Sequence, residues 1–142
     1  MSGTVIVGVD GSDTSFKAAA RAATIAAGLG ASLSVVTAHA KDNTEVVRIG
    51  SDTWILDDAE QAKKLAEKTA VKLRELVPGA AIDSVAVKGK PQDALVGEAS
   101  RTGAQLIVVG NVGMSGLGRV LGSVASSVAH SAPCDVYIVK TA

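Results

Sequence analysis

Five glycines, Gly110, Gly113, Gly116, Gly118 and Gly122, punctuate the stretch VVGNVGMSGLGRVLGSVASSV at 108–128. Glycine is costly to order and adds no side chain to a core, so such a cluster marks backbone that turns tightly or lies close to something. Phosphate is one candidate. Positive backbone angles aim successive N–H groups into one concavity, and Gly122 is followed by Ser123 where a helical pattern resumes. A helix start adds unpaired N–H groups and a dipole that favours an anion. Ser123 suits both capping of that helix and donation to a phosphate, and Arg119 stands nearby in sequence. A tight connection that binds nothing would use the same residues, and on the cluster alone both readings stand. A Walker A loop is excluded because no Gly-Lys-Ser/Thr follows, and GNVGMSG lacks the spacing of a dinucleotide fingerprint.

The second chemical stretch is VGVDGSDTS at 7–15, where Asp10 and Asp13 share one loop. Asp13 serves equally well as an N-cap for the following helix, which makes a hydrolytic acid pair unconvincing. His39, His130 and Cys134 suggest a base or a nucleophile, but catalysis needs a partner within about 3 Å and a third group to orient it. No such set is evident. His39 reads as a polar strand end with ligand contact as the alternative. His130 falls in a last helical turn, where its cation is favoured, and Cys134 reads as small apolar packing. Trp54 is the single large ring in 40–57. It reads as a hydrophobic staple beside Asp57 or Asp58 as a helix cap, with closure over a base as the alternative.

The apolar pattern marks the elements that position these residues. Runs at 4–9, 32–39, 106–110 and 135–140 are near-continuous in Val, Ile and Leu, as a sheet covered on both faces requires, and 82–87 alternates as a more exposed strand. Helical patterns occupy 15–30, with Ala19, Ala22, Ala23 and Ala26 along one small face, and 58–77, ended by Pro78 and Gly79. A third helix opens at Pro91 and runs to about Arg101, and a fourth follows the glycines through about His130. Segment 40–57 shows no firm periodicity and is expected to be a loop or lid. The alternation implies one α/β domain over 1–142 with five mostly parallel strands. In such sheets ligands sit beyond the carboxyl ends of strands, where the strand order reverses. If the first and fourth strands are neighbours there, Asp10 and the glycine loop face one crevice.

Composition narrows the partners. With 14 basic and 14 acidic residues and only Phe16, Trp54 and Tyr137 as aromatics, the chain has neither the charge nor the stacking surface for nucleic acid. One cysteine excludes an intrachain disulfide and a cysteine-rich zinc site. No basic leader and no uncharged membrane-length run is present, so no membrane partner is expected and the cytoplasm is the expected compartment. The last strand, DVYIVKT, should form a sheet edge whose open backbone groups are protected by pairing with a second copy.

VIVGVDGSDTS, GKPQDALVGEA, the glycine signature and SAPCDVYIV occur in the order seen in universal stress proteins, which the chain resembles over essentially its whole length. The resemblance implies an open parallel sheet of order 3-2-1-4-5 with helices on both faces, a homodimer, and ATP bound between the first and fourth strands. Carried onto this chain, it places Val9 and Asp10 beside the adenosine, Ala38 against the base, and Val109 and Gly110 at the loop start. Gly113 permits its turn, and Gly122, Ser123 and Val124 surround the phosphates. Any magnesium would arrive on the phosphates. The family's loop has nine residues between its second and third signature glycines, whereas MSGLGRVL supplies eight. GNVG also resembles a subgroup of actinobacterial members associated with cyclic AMP, a ligand that tolerates a tighter loop. The implied function is nucleotide-dependent regulation or stress response with at most slow ATP hydrolysis. The alternatives are cyclic AMP binding and a nucleotide-free dimeric interaction module.

Overall fold

The computed structural model describes residues 3–39, 45–49, 52–56, 59–111 and 122–141. Along the chain lie β1 (Thr4–Gly8), α1 (Asp13–Leu29), β2 (Ser32–His39), β3 (Glu45–Ile49), β4 (Asp52–Leu56) and α2 (Ala59–Leu76). They are followed by β5 (Ala81–Lys88), α3 (Pro91–Thr102), β6 (Leu106–Gly110), α4 (Ser123–Ser131) and β7 (Asp135–Val139). Five strands form one parallel sheet of order β5-β2-β1-β6-β7. Counting those five strands alone, this is the 3-2-1-4-5 order.

The apolar runs follow from double-sided burial. Val5 and Val7 of β1, Leu33 and Val35 of β2 and Val108 of β6 face the layer of α1 and α2. Ile6, Val36, Ile107 and Val109, one residue out of phase, face α3 and α4. A central strand therefore has no face on which a charged residue would meet water. α1 lays Ala18, Ala19, Ala22, Ala23 and Ala26 against the first layer, all buried. It ends at Gly30, whose φ of +68° closes the helix through bonds to the Ala26 and Ala27 carbonyls.

Segment 40–57 departs from expectation. Within it, β3 and β4 pair antiparallel, with Ile49 opposite Asp52 and Val47 opposite Trp54. The signal was present as two β-branched runs, EVVRI and DTWIL, separated by Gly50-Ser51. Each run carries a charge and is only five residues long, which hides its period. The roles considered for the Trp54 side chain and for Asp57 and Asp58 lie outside the described residues, as do Gly113 and Arg119. Among the described residues no helix is long and apolar enough to cross a membrane.

The small face of α1 is a packing requirement that can be tested. Ala22 is fully buried, so Ala22→Leu forces extra volume between helix and sheet and should cost about 1–3 kcal/mol. Urea unfolding monitored by circular dichroism should show a lower midpoint, and an unchanged midpoint would show that α1 does not need its alanines.

Candidate functional site

β1 ends where the chain must leave the sheet, and the exit is built from hydrogen bonds local to 10–15. Gly11 takes φ +88°, a conformation that strains any other residue. This brings the Ser12 N–H to Asp10 Oδ1 at 2.9 Å, while the Asp10 N–H donates to Ser15 Oγ at 3.2 Å. The Ser15 hydroxyl in turn donates to the Ser12 carbonyl at 3.0 Å. Ser12 is the N-cap of α1, accepting from the Ser15 N–H at 3.2 Å, and Asp13 is the first helical residue. The cap thus falls one residue before Asp13, because Ser12 has the extended backbone that a cap requires.

β6 ends in a second cluster. Asn111 donates its N–H to the Val139 carbonyl at 2.8 Å, and its Oδ1 accepts from the Thr141 N–H at 2.8 Å and the Thr141 hydroxyl at 3.1 Å. Its carbonyl accepts from the Gly122 N–H at 2.9 Å. One residue therefore joins the end of β6, the end of β7 and the start of α4. The Gly122 N–H is used in this clasp. Gly122 is the N-cap of α4 with no side-chain cap bond, and Ser123 is an exposed first helical residue, not the cap expected for it. The first-turn N–H groups of α4, at Ser123, Val124 and Ala125, are those that helix geometry leaves without an intrahelical acceptor.

Between these two exits is a cavity of about 200 Å³. Val9, Asp10, Ala38, Val109, Gly110, Gly122 and Val124 all line it; Ser123 lies beside the wall and Gly113 is outside the described residues. The wall also holds Ser12, Thr14, Ser15, Thr37, Leu65 and Leu95, which the sequence motifs did not single out. The two sides differ in character. Hydroxyls of Ser12, Thr14 and Ser15 gather with Asp10 at the start of α1, whereas Ala38, Leu95, Val109, Val124 and Ala125 belong to the apolar layer of α3 and α4.

The groups suggestive of catalysis lie elsewhere. His39 is buried at the end of β2, its carbonyl bonded to the Gly89 N–H, and His130 is exposed in the last turn of α4. Cys134 packs half-buried against the α3–α4 layer, where burial and then the Asp135 charge push its thiol pKa up and away from the reactive thiolate. Among the described residues no group of three or more His, Cys, Asp or Glu side chains is placed to hold a metal.

Burial alone would raise the Asp10 pKa, but hydrogen bonds from the Ser12 hydroxyl and N–H, from Ser15 and from its own N–H outweigh it, leaving the carboxyl below its ordinary value. A depressed folded-state value gives stability that is present above the unfolded pKa of about 3.9 and lost as pH falls through the folded one. Asp10→Asn should therefore melt below the parent protein at pH 7, with the difference closing as pH is lowered toward 3. A pH-independent difference in melting temperature would show that the charge is not what the loop uses.

The sequence profile of the universal stress protein family matches residues 1–140. The universal stress protein Rv1636 of Mycobacterium tuberculosis is 38% identical over 149 residues, covering 97% of this chain and 96% of its own length. The universal stress protein MJ0531 of Methanocaldococcus jannaschii is 31% identical over 140 residues, covering 96% and 81%. A solved universal stress protein in complex with cAMP superposes with a TM-score of 0.75 at 35% identity, covering 99% of this chain and 98% of its own. With agreement over nearly the whole length in profile, sequence and fold, this chain belongs to the universal stress protein family.

Proposed function

We propose that this chain is a regulatory or stress-response protein that binds an adenine nucleotide in the cavity between β1 and β6 and does not turn it over efficiently. The observation that carries this reading is the convergence of Asp10, Ala38, Gly110 and Gly122, from four separate elements or loops, on one cavity at the carboxyl edge of the sheet. The phosphate would lie toward Gly110 and the start of α4, and the nucleoside toward β2. Asp10 is the one titratable side chain among the described residues that line the cavity. Because its pKa is held low, it is a weak base at neutral pH and better suited to accept a hydrogen bond from a sugar hydroxyl than to activate water.

ATP and cyclic AMP are the rival ligands. ATP is what the glycine signature implies, with any magnesium carried on its phosphates. Cyclic AMP is favoured by one observation: a relative at 35% identity was solved with cAMP. Mass spectrometry of nucleotide released from freshly purified protein, followed by competition calorimetry, should find an adenine nucleotide and rank cyclic AMP above ATP. Gly122→Val adds bulk to the cavity wall and should weaken binding about tenfold or more. Neither released nucleotide nor a calorimetric signal for ATP, ADP or cyclic AMP would reject the reading in favour of a nucleotide-free interaction module. Rapid ATP hydrolysis would reject the non-catalytic part.

The same protein is proposed to act as a homodimer through β7. This strand is at one edge of the sheet and leaves Tyr137 and Ile138 each 39% exposed beside its open backbone groups. Arg21 Nη1 donates to the Tyr137 hydroxyl at 3.2 Å, which steadies that edge against α1. Light scattering over a wide concentration range should give twice the chain mass. A monomer persisting at the highest concentration would overturn the dimer.

A further inference from the structure

Thr37 is the third residue from the end of β2 and, with Ser34, one of the two polar residues in the buried run Leu33–Thr37. Strand alternation puts its side chain in phase with Leu33 and Val35, which face α1 and α2, and out of phase with Val36. Only 5% of the residue is exposed, and Thr37 Oγ1 has no hydrogen-bond partner among the described residues. Leaving a buried hydroxyl unpaired costs free energy that a valine of the same shape would avoid. The site of this cost is informative, because Thr37 lines the cavity together with Leu65 of α2 and its neighbour Ala38.

We propose that the Thr37 hydroxyl is a ligand-binding group that hydrogen-bonds the nucleoside end of the bound nucleotide. This rests on the nucleotide-binding reading above and specifies it. β1 lies between β2 and β6 in the sheet, so Thr37 is two strand spacings, roughly 9–10 Å, from the Gly110 end where the phosphate is assigned. A ligand anchored there by its phosphate meets β2 with its nucleoside part. One χ1 step carries the threonine hydroxyl into the place of the methyl, with the methyl moving to the place of the Cβ hydrogen, so the oxygen can be re-aimed without moving the backbone. A hydroxyl both donates and accepts, so the contact fixes the depth and orientation of the nucleoside rather than the identity of a single base atom.

Thr37→Val and Thr37→Ser separate this role from a structural one. Calorimetry with cyclic AMP, ATP and adenosine as probes should show Thr37→Val weakening every ligand the parent protein binds, adenosine included, by about three- to tenfold. Thr37→Ser, which keeps the hydroxyl, should remain within about twofold of the parent. The ligand-free melting temperature of Thr37→Val should stay level or rise, because the orphaned oxygen is gone. Unchanged affinity in the folded valine variant would overturn the assignment while leaving nucleotide binding intact. A loss confined to phosphorylated probes, or a lower ligand-free melting temperature, would also overturn it. A parent protein that binds none of the probes would overturn the nucleotide reading itself and this assignment with it.

Discussion

The parallel pairing of Val5, Ile6 and Val7 with Leu106, Ile107 and Val108 joins segments from opposite ends of the chain, and the cavity depends on it. β1 continues through α1 to β2 on one side of this pair, whereas β6 continues through α4 to β7 on the other. The two connections diverge, one over each face, and among the described residues leave a gap at the carboxyl edge that no helix covers. Double-sided burial of these strands holds the pair in register. A slip of one residue would send Val5 and Val7 to the α3–α4 layer and Ile6 to the α1–α2 layer, exchanging side chains between two differently shaped surfaces.

Much of this was legible in the sequence because the physics that builds the sheet is local and repetitive. Strands buried on both faces read as runs rich in Val, Ile and Leu, and Ser12, Pro91, Gly30 and Gly103 mark ends of the helices α1 and α3. What escaped was decided by single residues or by context. Both caps lie one position upstream of where the side chains suggested, at Ser12 and Gly122, because consecutive residues in each loop can cap and only the extended backbone selects between them. The β3–β4 ribbon was hidden by short runs containing charge. Asp10 and the glycine loop with Gly110 and Gly122 were reached from the strand ends, and Ala38 by family resemblance. Thr37 had a visible signal as a polar residue in a buried strand, but whether its hydroxyl finds a partner depends on the packing of α2 against β2.

The cavity combines two kinds of wall that suit different parts of one molecule. On the α1 side a carboxylate and several hydroxyls are already engaged with one another, so their positions are set before anything binds and little side-chain freedom remains to be lost. On the α3–α4 side the wall is aliphatic, giving contact area without a hydrogen-bonding demand. Asp10 is a weakly basic carboxylate and the one titratable group among the described lining residues.

Asn111 gives the fold a property that bears on how such sites diversify. Because its carbonyl is bonded to the Gly122 N–H, while its N–H and side chain hold Val139 and Thr141 at the end of β7, the residues that flank segment 112–121 meet at a single point. The ends of β6 and β7 and the start of α4 are therefore tied to one another by residues outside that segment. Closing a loop one residue longer changes the chain entropy by only about 0.1 kcal/mol, far below what separates a folded from an unfolded domain. The clasp thus fixes where β6, β7 and α4 meet through residues outside that segment.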